Sequence, residues 1–310
     1  MAGLIWRFAR HLKRLRPHVL LSFMWYPNAI AIIAGRLADS RLKVAVSERT
    51  STSVYSRKAD SIFRSAIIRF LYPRAYIVIS PSEAIAQDLI SRGNRSDKLA
   101  VIQNPVDLTM VRELACAALD HPWYRADEDV IIAIGRLGSE KGFHYLVRAI
   151  ALLRKEEVAC KLLILGEGQE RKTLEELIAR LGLQECVELA GFQQNPYKYL
   201  IRSRIFVLSS LYEGFPNVLL EALALGIPSV ATRCLTGPEE IISDGVNGIL
   251  VPPADERMLA DAVRRLLQDE DLRGRLGEEG KKRAEDFGVE KIVRRFEGLI
   301  ESLSAEPVKK

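Results

Sequence analysis

Two glutamates, Glu213 and Glu221, stand eight positions apart in "SSLYEGFPNVLLEALALGIPSVAT" (residues 209–232). The first falls in a stretch containing glycine and proline, and the second inside a predicted helix that begins near Asn217. Gly214, Phe215 and Pro216 lead into that helix. Its first amide N–H groups lack partners within the helix and carry the positive end of the dipole, so they suit anions or hydroxyl oxygens. A carboxylate accepts from two vicinal hydroxyls at once. Two carboxylates flanking such a helix end fit a nucleotide sugar, one gripping the hexose and the other the ribose. A plainer account also fits: Glu221 favours the helix N-terminus electrostatically, and Glu213 is a loop residue.

A second stretch supplies the opposite charge. In "IGRLGSEKG" (residues 134–142), Arg136 and Lys141 sit on a turn with Gly135, Gly138 and Gly142. A guanidinium and an ammonium there can neutralise a diphosphate, the first by bidentate contact and the second as a point charge. The stretch is not a P-loop, because Glu140 stands where a glycine should precede the lysine. Solvated charges on a strand-to-helix loop are the plainer reading. "GEGQE" (166–170), beginning at Gly166, reads as a glycine turn, with Arg171 in place of the third glycine of a dinucleotide fingerprint. "DED" occurs at 127–129 and 269–271, formally a D-x-D metal pattern; the first precedes a strand and the second closes a helix, so both read as turns. His11, His18, His121 and His144 show neither metal spacing nor a Ser or Cys partner.

These loops must leave the carboxyl ends of strands, and the chain supplies the strands. Apolar, β-branched runs are expected as strands at 18–22, 43–47, 76–80 and 99–102, then at 130–135, 161–166, 187–190, 205–209, 229–232 and 248–251. Helices are expected at 30–38, 82–91, 143–155, 170–181, 217–225 and 255–268, and a last one at about 289–303. Such alternation gives an α/β fold of parallel sheets covered on both faces, where ligands bind beyond the carboxyl strand ends. The strand-free stretch 104–129 separates a set of four strands from a set of six.

The chain has 310 residues, 48% apolar and 27% charged, enough for two domains. Its four cysteines are widely spaced and read as reduced thiols, which implies a reducing cytosol. The apolar runs fall short of the roughly 18 residues that a membrane span needs, and the basic start lacks a cleavage site. A net charge of +5 is modest, but cations cluster at 7–16 and 57–74, which suggests an anionic partner. Nucleic acid is not expected, since no recognition motif or stacking platform accompanies the charge. "DSIFRSAIIRFLYPRA" (60–75) reads equally as a basic amphipathic helix for an anionic lipid surface, through Arg64, Arg69 and Arg74, or as a helix packed on the sheet.

Taken together, these segments resemble the retaining glycosyltransferases of family 4, whose GT-B fold sets two Rossmann-like domains facing across a cleft. "GRLGSEKG", "GEG", "GF" at Gly191 and Phe192, the Glu–seven residues–Glu stretch, "TGPEEII" and "DGVNGILVPPAD" run in the family's order over residues 130–254. "LLSFMWYPNAIAIIAGRL", "VAVSERT", "AYIVISPSEAIAQDL" and "IQNPVD" extend the likeness to the first half. "SERT" and "TGPEE" look most like transferases that extend lipid-linked or surface-polysaccharide sugars.

The resemblance implies that Glu213 contacts donor-sugar hydroxyls and Glu221 the ribose, while Arg136 and Lys141 hold the diphosphate. Gly135, Gly166 and the amides of Gly214, Phe215, Pro216 and Asn217 would help to hold the donor. A UDP-sugar would be the substrate and a glycan or lipid-linked molecule the acceptor, with no cofactor and no metal. The protein would be cytoplasmic, at the inner face of the cell membrane if the basic helix binds lipid. Residues 1–107 would be a partial acceptor-side domain, 108–127 a linker, 128–287 the donor-binding domain, and 288–310 a helix crossing back with a charged tail.

The family's opening strand and glycine-rich loop have no counterpart, which at about 30 residues per βαβ unit leaves roughly 70 to 90 residues unaccounted for. "SFMWYPNA" also lacks the histidine that many relatives carry. A silent donor-binding subunit that needs a partner protein to complete its first domain, or a fragment of a longer transferase, therefore stands as the alternative.

Overall fold

The computed structural model describes residues 2–49, 59–126 and 128–305, and of residues 59–63 the backbone alone. Thr50 of "SERT", Arg57 of the second basic cluster, Asp127 of the first "DED" and the tail after Ala305 lie outside the described residues, as do the side chains of Ile62 and Phe63. The chain forms two units, one of residues 1–104 with 290–310 and the other of residues 105–289.

In the first unit, α1 (Ala2–Leu15), α2 (Trp25–Ala38), α3 (Ala59–Phe70) and α4 (Glu83–Ser91) alternate with β1 (Val19–Phe23), β2 (Lys43–Ser47), β3 (Ile77–Ser80) and β4 (Leu99–Val101). The strands are parallel and adjacent in chain order. Helix α2 starts five residues earlier than expected. Pro27 reads as a breaker in the sequence, yet it falls in the first helical turn, where its missing N–H would have no partner anyway.

The amphipathic reading of residues 60–75 meets its correction here. Arg64 is turned inward onto Glu48, Nη2 to Oε1 2.8 Å, with side-chain exposures of 8% and 2%. The Tyr72 hydroxyl donates to the other Glu48 oxygen at 2.5 Å, and Asn28 Nδ2 donates to the Tyr72 hydroxyl and the Ser47 carbonyl. Burial, then the adjacent Glu48 charge, raises the Tyr72 pKa well above its usual value. Ile67 and Ile68 pack with Tyr72, Val46 and Ile32 in the core, leaving Arg69 and Phe70 outside. Arg64 is therefore a core cation.

The second unit contains α5 (Leu108–Ala115), α6 (Pro122–Arg125), β5 (Val130–Ile134), α7 (Phe143–Lys155), β6 (Lys161–Leu165), α8 (Arg171–Arg180), β7 (Val187–Gly191), α9 (Tyr197–Leu200) and β8 (Ile205–Leu208). It continues through α10 (Asn217–Ala224), β9 (Ser229–Thr232), α11 (Pro238–Ile241), β10 (Ile249–Val251), α12 (Glu256–Gln268) and α13 (Glu270–Ala284). The final helix, α14 (Val289–Ala305), returns to the first unit, where Ile292 packs with Ile79 and Ile102. The segment expected as a linker is structured: Val111 and Ala115 of α5 are buried in the core of the second unit. The second "DED" is a pair of caps, for Asp269 ends α12 and accepts from Leu272 N–H at the start of α13.

All six strands of this unit are parallel, in the order β10-β9-β8-β5-β6-β7. Strand β5, "VIIAI", sends Ile131 and Ala133 into one core and Val130 and Ile132 into the other, which is why it reads as a continuous apolar run. From β5 the chain winds outward to β7, then returns to the opposite side of β5 to lay down β8. The order reverses between β5 and β8, the position at which ligands of such sheets generally bind beyond the strand ends.

Removing Arg64 leaves the Glu48 carboxylate buried without its cation. Arg64→Ala should lower unfolding free energy by about 3 kcal/mol, against a change of less than about 0.5 kcal/mol for the exposed Arg69→Ala. Denaturant melts of both variants test this; equal, small losses would contradict the buried-pair description.

Candidate functional site

The loops leaving β5 and β8 are bound to one another at the reversal point. Leu137, fully buried, anchors the first: its N–H donates to Glu167 O and its carbonyl accepts from Glu170 N–H, both at 2.9 Å. A 3-10 turn (Ser139–Lys141) follows, closed by Gly142 at φ 62°. A Cβ on Gly142 would lie 2.2 Å from the Ser209 carbonyl, so only glycine lets the loops approach this closely. Ser209 Oγ donates to Lys141 O at 2.9 Å, and Leu211 N–H donates to Glu140 O at 2.8 Å.

Across this seam Lys141 Nζ meets Glu213 Oε1 at 2.7 Å, with both side chains largely buried. Ser210 Oγ donates to the same oxygen at 2.6 Å. Both of these contacts fall on Oε1. The Thr236 hydroxyl donates to the Glu213 backbone carbonyl, fixing the loop from the β9 side. Gly135 lies beneath the Lys141 stem, where a Cβ would come within 3.3 Å of Lys141 Cε. Gly166, at φ 147°, presses on the Gly135 carbonyl, which a Cβ would meet at 1.9 Å. Its part is backbone packing.

The other expected residues take separate positions. Arg136 is 71% exposed and paired with Glu140, Nε and Nη2 lying 3.2 and 2.5 Å from Oε1. Phe215 turns its ring into the core against Phe287, centroids 5.7 Å apart, so only its backbone faces the loop. Pro216 is buried at the cap position of α10, where a proline side chain accepts no hydrogen bond, and Asn217 is exposed at the first helical position. Glu221, one turn further on, is half-buried; burial pushes its carboxyl pKa up against the opposing hydrogen bond from Tyr197. Tyr197 in turn is pushed up to about 12, by burial first and then by Glu221. Thus Lys141 and Glu213 are brought together, while Glu221 pairs with a tyrosine and Arg136 with its own neighbour. A cavity of about 280 Å³ beside Gly138 and Ser139 opens between α7 and α8, lined by His144, Arg148 and Glu170; neither Lys141 nor Glu213 lines it.

Ser210, Thr236 and Tyr197 were not anticipated from the sequence. Ser210 has a signal, a buried hydroxyl at the carboxyl end of a strand three residues before a carboxylate. Thr236 and Tyr197 reach their partners only through the fold.

Residues 123–283 match the family described as "Glycosyl transferases group 1". The chain belongs to that family. Residues 1–110 match "Glycosyltransferase Family 4". An uncharacterized glycosyltransferase of Methanocaldococcus jannaschii is 35% identical over 75% of this chain, which spans 65% of that relative's length. The N-acetylgalactosamine-N,N'-diacetylbacillosaminyl-diphospho-undecaprenol 4-alpha-N-acetylgalactosaminyltransferase of Campylobacter jejuni is 33% identical over 88% of this chain and 73% of its own. The crystal structure of Anabaena Alr3699/HepE in complex with UDP matches with a TM-score of 0.84 and 21% identity, over 97% of this chain and 82% of that one. The two parallel-sheet units are those of the GT-B fold.

The raised pKa of Glu221 fixes the sign of a stability effect. Its contribution is fully present below the ordinary carboxyl value of 4.5 and is lost as pH rises through the folded-state pKa. Glu221→Gln cannot ionise, so it should melt higher than the parent near neutral pH, with the gap closing in acid. Calorimetric scans across pH check this; a lower melting temperature at neutral pH would contradict it.

Proposed function

We propose that this chain serves a retaining, metal-independent transferase that moves a hexosyl or N-acetylhexosaminyl group from a UDP-sugar to a glycan or lipid-linked acceptor. The observation that carries the reading is the Lys141–Glu213 contact at the β5/β8 reversal, a cation and a carboxylate side by side on the loops that leave the strand ends. As the glycosidic bond breaks, negative charge collects on the departing diphosphate. Lys141 and Arg136 lie on one loop and can stabilise that charge, a form of catalysis that needs no proton transfer and no metal. Glu213 Oε2 accepts from sugar hydroxyls while Oε1 stays on Ser210. Glu221 exchanges its tyrosine for the ribose. Retention follows from attack on the face that the diphosphate leaves: the acceptor oxygen bonds to the anomeric carbon as the bond from that carbon to the β-phosphate oxygen breaks, and the acceptor's proton passes to the departing phosphate. The HepE structure with UDP supports the choice of base, and the diphospho-undecaprenol acceptor named for the C. jejuni relative supports a lipid-linked one.

Glu213→Ala should abolish sugar transfer while the chain still folds, with a lowered melting temperature because the largely buried Lys141 loses its carboxylate partner. Arg136→Ala should weaken UDP binding about tenfold, the worth of one charge-assisted hydrogen bond at about 1.5 kcal/mol. Transfer assays with a chelator present and UDP titration calorimetry read both; full activity in Glu213→Ala, or unaltered UDP affinity in Arg136→Ala, would remove the assignment.

We also propose a cytoplasmic protein working against the inner face of the membrane, with α1 as the contact. Among the described residues no helix is long and apolar enough to cross a bilayer. Helix α1 carries Arg7, Arg10, Lys13 and Arg14 with no acid. It packs inward through Ala9 and Leu12 and exposes Leu4, Trp6 and Leu15, with the Arg10 guanidinium over the Trp6 ring. Cations beside an exposed indole suit anionic headgroups over hydrocarbon. The chain should float with vesicles containing acidic phospholipid, and a Trp6→Ala, Arg7→Glu, Arg10→Glu variant should stay in the bottom fraction. Flotation unaffected by those changes would exclude α1.

A further inference from the structure

The loop after β5 carries an anion of its own. Glu140 lies four residues beyond Arg136 and its carboxylate sits on the guanidinium, 15% exposed against 71% for the arginine. That position is built. A Cβ on Gly138 would come 2.4 Å from Glu140 Oε2, so glycine makes the room into which the carboxylate folds. The Glu140 carbonyl accepts from Leu211 N–H, tying this residue to the loop that bears Glu213. Burial draws the Glu140 pKa upward, but the Arg136 hydrogen bond, the backbone N–H and the Arg136 charge together hold it below the usual carboxylate value. The carboxylate therefore stays ionised wherever the enzyme works.

Each cation of the loop thus has a carboxylate partner before any nucleotide arrives: Arg136 has Glu140 and Lys141 has Glu213. A diphosphate binds by exchange, taking cations that already hold anions. The exchange bears most on the product. Transfer turns a phosphate ester into a free terminal phosphate, which carries more negative charge and would grip unopposed cations more tightly than the donor does. An ionised neighbour that competes for Arg136 offsets that gain.

We propose that Glu140 is an internal counter-anion that limits retention of the nucleoside diphosphate product. The inference rests on the reading of Arg136 as a diphosphate ligand. Glu140→Gln keeps an acceptor oxygen for Arg136 and removes the charge, so it separates competition from positioning. UDP titration calorimetry on the full chain should show Glu140→Gln binding UDP roughly two- to fivefold more tightly, the worth of one partly exposed ion pair. The gain should shrink as salt rises. Glu140→Ala should change affinity in the same direction, and Glu140→Gln combined with Arg136→Ala should bind no better than Arg136→Ala alone. Unchanged or weaker binding in Glu140→Gln, while Arg136→Ala loses affinity, would overturn the inference and make Glu140 a positioning residue or a bystander. If Arg136→Ala leaves UDP affinity untouched, the underlying reading of Arg136 falls and this inference with it.

Discussion

The 2.7 Å contact between Lys141 and Glu213 is the constraint to which the rest of the second unit answers. The two residues are separated by 72 positions and meet only because β8 lies beside β5, with Ile131 against Ile205 and Ile132 against Phe206. That pairing requires the chain to lay down β6 and β7 on one side, cross back, and begin again on the other. Two apolar cores hold the sheet between helices, and glycines at 142 and 166 let the loops above it touch. A bulky residue at Gly142 would part the loops, and the ion pair would be lost with the geometry.

The site is close to neutral without ligand, which has chemical consequences. The carboxylates of Glu140 and Glu213 offset the charges of Arg136 and Lys141. Under the proposed function, the same carboxylates would yield part of that attraction to a bound diphosphate. Glu213 is arranged for this. Two donors converge on Oε1, and under the proposed function the buried Ser210 hydroxyl would keep the carboxylate oriented if Lys141 turned to a phosphate. Preorganisation of this kind is what allows fixed dipoles and charges to stabilise a transition state without reorganising at the moment of reaction.

Much of this was legible in the sequence, for identifiable reasons. Fully buried parallel strands read as short apolar runs, and β2 and β9 coincide with their expected bounds at 43–47 and 229–232. Helix α7 does so too, since its apolar spacing is regular and Gly142 marks its start. Helix α13 went unread because it is strongly polar and opens on "DED", which looks like a turn when taken alone. The inward turn of Arg64 was hidden for a related reason: an arginine on an amphipathic helix looks solvated until its buried carboxylate partner, 16 residues away in chain, is known. The types and spacing of Arg136, Lys141, Glu213 and Glu221 pointed to diphosphate and hydroxyl chemistry, but which pairs with which is a property of strand order. Hence Lys141–Glu213 and Glu221–Tyr197 had to come from the fold.

A crystal structure of this chain with UDP tests the central claim most directly. The account requires the β-phosphate within hydrogen-bond distance of Lys141 Nζ, the ribose hydroxyls on Glu221, and Glu213 still held by Ser210. A UDP bound elsewhere, for instance against His144 and Arg148, with Lys141 still on Glu213 and Glu221 still on Tyr197, would contradict it.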